Sequence, residues 1–419
     1  MLSRPTLATS VVYLSTFLLA ACSRGPSSAV ATSTSSAPLS QHVGRFVINP
    51  QFGRAGSFAD GLAPVRWGTN ESDLWGFIDE KGQTAIPAKF TDVLRLEGDD
   101  DVIFIGGFAD GLAAVQFGGT TDSTWGFIDT HGQVAIRPQF SQVDQFSFGL
   151  ATVRVGGVNG GRWGYIDKTG ALTITPTFDT SFSFSDNGLA IVLQQGKVEY
   201  IDRHGSIVIP RSWDDGYAFS EGLACVRNAG PGAIAMGPSD YRWPHDSMGF
   251  SERYRPLETG KVGWINTAGK VVIGPEYDDC GVFSEGLAAA TSGTGPDKKV
   301  GFIDKQGKMK IAQQFASTKG FSEGLAAVRV GDEHTGKWGY IDTNGRFVVN
   351  PIYDDAEDFS EGLAGVRAQL NGRPQWGYID KSGKVVVPPQ FDAIRPFHSG
   401  KAAVRIGDSA TGKWGYISR

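Results

Sequence analysis

Lys337-Trp338-Gly339-Tyr340-Ile341-Asp342 returns as Gln375-Trp376-Gly377-Tyr378-Ile379-Asp380, and the chain ends on Lys413-Trp414-Gly415-Tyr416-Ile417-Ser418-Arg419. A row of aromatics could line a ligand, or a repeated structural unit could need the same word each time. The word also stands at Trp75, Trp125 and Trp163, with degenerate copies at Val198-Glu199-Tyr200, Val262-Gly263-Trp264 and Val300-Gly301-Phe302. From 262 the copies fall at 262, 300, 338, 376 and 414, a constant step of 38 residues. A period that strict marks a repeat array. Earlier steps of 50, 38, 35 and 64 place insertions in particular copies.

Two more elements keep the beat. One is Gly-Leu-Ala-x-Val, as in Gly324-Leu325-Ala326-Ala327-Val328; the other is a Val-rich run ending Pro-x-Phe, as in Val385 to Phe391. Together they resemble the WG (KWG) repeat family of bacterial proteins over nearly all of residues 45–419, with the copies around 198 and 262 departing most. The resemblance implies a repeat array and carries no established catalytic residue.

The segments are short, rich in β-branched and aromatic residues, and bounded by Gly, Pro and Asp, so they read as strands. Ile-Asp-x-x-Gly reads as a turn in which Asp accepts backbone N–H bonds and Gly supplies positive φ. Proline is expected to end its strand. In Trp376-Gly377-Tyr378-Ile379 the aromatics share one face, and Gly377 is expected to make room for a neighbouring repeat's ring. The fold class is an all-β repeat protein of nine units of about 38 residues. A closed propeller-like ring and an open β-solenoid or superhelix both fit. The phase of the chain favours the ring. The domain begins with the second strand of a hairpin, Phe46-Val47-Ile48, and ends with the first, Trp414-Gly415-Tyr416-Ile417. Pairing the two ends would remove exposed edges.

The start of the chain reads as a targeting segment. Arg4 and the apolar run Leu7–Leu19 precede Leu19-Ala20-Ala21-Cys22, which resembles a bacterial lipobox. Residues 1–21 are expected to be a lipoprotein signal peptide and Cys22 the lipidated residue, attached to a bilayer. By the same resemblance Ser23 favours the outer membrane in a Gram-negative cell. Residues 22–44 are rich in Ser, Thr, Ala and Pro and read as a flexible tether.

Signals of chemistry are sparse. The net charge of −5 gives no basic field for nucleic acid. The six histidines have no metal-site spacing, and no G-x-S-x-G, phosphate-binding or dinucleotide fingerprint is present. No cofactor or metal is expected, and catalysis is left undecided. The Ile-Asp aspartates each offer one carboxylate per turn, too few for a calcium loop. The acidic run Glu97 to Asp101 lies in an insertion. Cys225 and Cys280 occupy adjacent repeats; two buried free thiols are expected, with a disulfide as the alternative open to an exported protein. The long insertion 228–260 holds Tyr241, Arg242, Trp243, His245, Arg253, Tyr254 and Arg255. Trp, Tyr and Arg anchor interfaces, and insertions in repeats map to loops on one face. The expected function is a cell-envelope scaffold that binds protein or glycan. An envelope hydrolase or lyase on a propeller frame is the alternative.

Overall fold

Residues 355–391 show how one unit folds. Asp355–Ala356, Leu363–Leu370, Arg373–Asp380 and Val385–Phe391 pair antiparallel, in chain order. The first two strands turn at Ser360-Glu361-Gly362-Leu363, where Glu361 and Gly362 have φ of 52° and 81°. This is the type I′ turn that matches strand twist. The last two turn at Asp380, whose carboxylate accepts the N–H groups of Ser382 (2.9 Å) and Lys384 (3.1 Å). Asp79, Asp129, Asp167, Asp202, Asp304 and Asp342 cap their turns in the same way.

Two sequence expectations are corrected here. Proline does not end its strand. Val385–Phe391 runs through Pro388 and Pro389 as a bulge, so that Tyr378 faces Val387 while Trp376 faces Phe391. An edge strand tolerates the missing N–H groups. The glycine of Trp-Gly-Tyr accommodates that bulge and not a neighbour's ring. A Cβ on Gly126 would lie 2.6 Å from the Ile136 carbonyl oxygen of its own sheet, and Gly415 stands in the same relation to Ile48.

The computed structural model describes residues 44–70, 72–97, 102–118, 124–157, 160–228, 260–294, 297–332, 335–370 and 372–419. Nine four-stranded units follow one another. Blades 1 to 8 span 54–90, 92–140, 142–178, 180–213, 215–277, 279–315, 317–353 and 355–391. Blade 2 also carries a fifth short strand, Phe108–Ala109, paired to its second strand, and an added hairpin, Arg95–Glu97 with Val102–Ile105. Blade 9 takes three strands from residues 393–418 and its fourth, Phe46–Phe52, from the other end of the chain. The protein is a nine-bladed β-propeller, and the open-solenoid alternative falls. Phe46 pairs with Ile417, Ile48 with Tyr416 and Phe52 with Trp414. Gly44 N–H donates to the Ser418 carbonyl at 2.8 Å, as Gly82 donates to Asp79 at 2.9 Å. The seam therefore reproduces an ordinary hairpin turn without its covalent link.

The core lies between blades. Tyr378 of blade 8 meets Phe397 of blade 9 with ring centroids 4.9 Å apart, and its hydroxyl donates to the Arg395 carbonyl at 2.8 Å. Across the seam Tyr416 makes the same pair with Phe58 at 4.9 Å and donates to Gly56 at 2.8 Å. The aromatic row is thus architecture. Burying each phenol raises its pKa, as for Tyr165, Tyr200 and Tyr416.

Candidate functional site

Antiparallel strands put alternate connections at opposite ends. The turns joining strands one to two and three to four share one rim, here the turn rim. The loops joining strands two to three share the other, the loop rim. The 228–260 insertion belongs to the loop rim of blade 5, where its ends pair as Asn228 with Lys261. Tyr241, Arg242, Trp243, His245, Arg253, Tyr254 and Arg255 lie outside the described residues, as do Cys22, the signal and tether segments up to residue 43, and residues 98–101 of the acidic run.

The root of the insertion is described, and it is locked. Arg227, on the second strand just before the insertion, is 4% exposed. Its Nη1 donates to the Gly260 carbonyl at 3.0 Å, closing the loop, and to the Asp278 carbonyl at 3.0 Å on the way to blade 6. The guanidinium lies 3.9 Å from the buried Asp215 carboxylate and 3.6 Å from Asp279. A buried cation needs such partners, because removing one leaves the other charge uncompensated. Lys261, just after the insertion, binds Asp278 at 2.6 Å. That hydrogen bond is the main cause that holds the Asp278 carboxyl below its ordinary pKa. Tyr217 packs here as well. Burial raises its pKa, and Asp215 and Asp279 add to the rise.

The same root carries a covalent tie. Cys225 and Cys280 form a disulfide, with Cα atoms 6.5 Å apart, linking the second strand of blade 5 to the first of blade 6. The expectation of free thiols is therefore corrected. Both residues are small and buried, as expected, but the short first strand brings Cys280 directly against the neighbouring blade's second strand. Among the described residues no group of three or more His, Cys, Asp or Glu could hold a metal ion.

Three charged side chains escaped the sequence reading. Lys319, Glu357 and Arg395 hold the same place in successive blades, two residues before Phe321, Phe359 and Phe397. Lys319 pairs with Glu357 at 2.9 Å. Burial pulls the Lys319 pKa down, but Glu357 and its acidic neighbours outweigh that and leave it raised. Arg395 donates to the Ala55 carbonyl at 2.8 Å and lies 4.9 Å from the Trp414 ring centroid. The signal was available as three charges at one phase of the repeat. The first pair ties blade 7 to blade 8, and Arg395 ties blade 9 to blade 1. The degenerate copy also has a structural side: Glu199, in place of the repeat glycine, is 2% exposed, and Tyr200 still donates to the Tyr217 carbonyl at 2.9 Å.

The chain is similar to several solved structures. A eukaryotic initiation factor matches with a TM-score of 0.50 and 11% identity, over 82% of this chain and 93% of that one. Porphyromonas gingivalis dipeptidyl peptidase 4 matches with a TM-score of 0.45 and 11% identity, over 85% of this chain and 57% of that one. The β-propeller domain of the Trilobed protease from Pyrococcus furiosus matches with a TM-score of 0.36 and 7% identity, over 72% and 97%. At such identities the likeness concerns the fold alone. No curated protein sequence matches. Nine segments, 42–66, 75–99, 125–158, 163–197, 200–230, 263–293, 301–333, 338–371 and 376–414, match the WG containing repeat. With most of its length in those segments, the chain belongs to the WG containing repeat family.

Proposed function

We propose that this protein is a lipid-anchored scaffold of the cell envelope, held through Cys22, that presents the 228–260 insertion to a protein or glycan partner. The observation that carries the reading is the locked root. Arg227, Lys261 and the Cys225–Cys280 disulfide hold both ends of the insertion against two blades. A loop with fixed ends loses less freedom when it binds. The insertion supplies Tyr241, Trp243 and Tyr254 for stacking and Arg242, Arg253 and Arg255 for carboxylate or hydroxyl groups. In a Gram-negative cell Ser23 directs it to the outer membrane.

The test is capture from envelope extracts by the intact protein, compared with a variant lacking residues 229–259 and with Trp243→Ala/Tyr254→Ala. A protein or glycan retained by the parent and lost by both variants, with thermal stability unchanged, supports the reading. Retention that survives the deletion refutes it. Release of cleaved glycan fragments would establish the hydrolase or lyase alternative instead.

A further inference from the structure

The turn rim is continuous. Each Asp-x-x-Gly turn rests on the fourth strand of the preceding blade, as Gly345 rests on Ile311, Gly383 on Val349 and Gly44 on Val387. The fourth strand then begins at the outer shoulder of this rim with exposed side chains in every blade. In blades 5 to 9 the first exposed position after the turn glycine is a cation: Lys270, Lys308, Arg346, Lys384 and Arg45. In blades 1 to 4 the same position is Gln83, Gln133, Ala171 and Ser206. Exposed apolar side chains follow the cations. Phe46, Val272, Phe347 and Val385 are 39%, 43%, 42% and 46% exposed.

The charge balance divides the three-to-four turns of the rim, while its one-to-two turns carry acids in both arcs, Asp60, Asp110 and Asp186 in one and Glu221, Glu285, Glu323 and Glu361 in the other. Segments 266–272, 304–310, 342–348, 380–386 and 418–419 with 44–47 hold nine Lys and Arg against three Asp. The equivalent segments 79–85, 129–135, 167–173 and 202–208 hold three against five acidic residues. Asp342 and Asp380 are engaged with turn N–H groups, and Lys305 and Lys381 pair with Glu221 and Glu323 at 3.0 Å. The five shoulder cations occupy five consecutive blades, and Gly44, the first described residue, lies at one end of that arc.

We infer that this arc of blades 5 to 9 docks on an anionic lipid surface. Cations flanked by exposed apolar side chains are what an anionic bilayer interface selects, and the opposite arc lacks the cations. Docking by the turn rim turns the loop rim, with its insertion, away from the bilayer. The inference takes its setting from the envelope reading, but the surface does not depend on the insertion.

The test uses the full chain carrying Cys22→Ala, so that no lipid can be attached. Partition onto phosphatidylglycerol–phosphatidylcholine vesicles is compared with pure phosphatidylcholine at low and high salt. The salt-sensitive, phosphatidylglycerol-dependent part is expected to fall at least ~100-fold in K270E/K308E/R346E/K384E, given roughly fivefold per cation near such a surface. Gln83→Glu/Gln133→Glu/Ser206→Glu, on the opposite arc, should change it little, and both variants should keep the parent's melting temperature. Equal loss in both arcs, equal binding to neutral vesicles, or tighter binding to soluble heparin than to vesicles overturns the inference. Deletion of 229–259 should leave vesicle binding intact while abolishing partner capture, so failure of one reading is separable from failure of the other.

Discussion

Breaking the Cys225–Cys280 bond perturbs blades 5 and 6 at the root of the insertion, and its cost can be worked from the structure. The bond closes a loop of sequence separation 55. Chain-entropy reasoning for a loop of that length gives about 4 kcal/mol of stabilisation, by restricting the unfolded chain. Unfolding entropy near ~2.1 cal/mol/K per residue, over a ring of residues 44–419, converts that into a fall in Tm of roughly 5 °C. Cys225 and Cys280 are 1% and 5% exposed, so alanine is the replacement that buries no new polar group. Scanning calorimetry on Cys225→Ala, Cys280→Ala and the double variant tests the cause as well as the size. A cross-link is lost whole with either partner, so each single variant should fall nearly as far as the double. If packing of the sulfur atoms were responsible, the single losses would sum to the double loss. Thiol titration of the denatured, unreduced protein should find neither cysteine reactive. Two reactive thiols besides Cys22, or a double variant that melts with the parent, would refute the reasoning.

Two glycines of blade 5 give opposite expectations. Gly263→Ala places a Cβ 2.5 Å from the Ile273 carbonyl oxygen and should cost about 2–3 kcal/mol, whereas Gly274→Ala meets nothing within 4 Å and should be neutral or slightly stabilising; Tm values that do not separate the two would contradict the bulge account. Acid should weaken the ring through its turn caps. The Asp202 and Asp342 carboxyls are held below 3.8 chiefly by the Ser206 and Arg346 N–H groups, and Asp167 chiefly by the Thr169 hydroxyl. Depressed folded pKa values mean stability that is complete above the unfolded value and lost as pH falls through the folded ones. The expected loss therefore begins below about pH 4, and Asp202→Asn/Asp342→Asn should flatten it; an unchanged acid limb in circular dichroism would count against the caps.

The repeat word made the ring legible because each of its letters answers a local demand. Asp closes a turn, Gly clears a bulge, and an aromatic fills the space to the next blade. The phase of the two ends was legible too, since a strand without a partner at each terminus is a requirement that closure meets. The sequence could not show what lies across a blade boundary. Arg227 reads as one more residue after a Leu-Ala-x-Val strand, yet it reaches Gly260 on the far side of the insertion and Asp278 on the way to the next blade. The disulfide hid for the same reason: its partners are distant in sequence and meet only when blade 6 packs on blade 5. Pro388 misled because proline commonly stops a strand, while here the bulge uses the missing N–H. The insertion was visible as an interruption of the period, and its chemistry was readable only as composition.

The turn acids show why departures from the repeat should not be taken at once for ligand chemistry. Glu285, Glu323 and Glu361 sit at φ of 52° to 55°, a left-handed backbone that costs a non-glycine residue about 1–2 kcal/mol. Glycine would avoid that cost. The acid is there because its carboxylate reaches the next blade: Glu285 accepts the Gly324 N–H at 2.9 Å, Glu323 that of Gly362 at 2.9 Å, and Glu361 that of Gly400 at 2.9 Å. A charged acceptor on a backbone donor is worth more than a neutral one, so local strain is exchanged for coupling around the ring. In two blades that lack the acid, a cation bridges the junction. Phe148 takes the acid's place in blade 3, and Arg203 of blade 4 donates to its carbonyl. Ser399 takes it in blade 9, and Lys401 pairs with Glu80 of blade 1 at 3.3 Å. A substitution in the repeat that is matched by a compensating contact at the same junction belongs to the ring. The shoulder cations of blades 5 to 9 stand exposed where blades 1 to 4 carry Gln, Ala or Ser, so they are departures from the repeat that face a surface outside the protein.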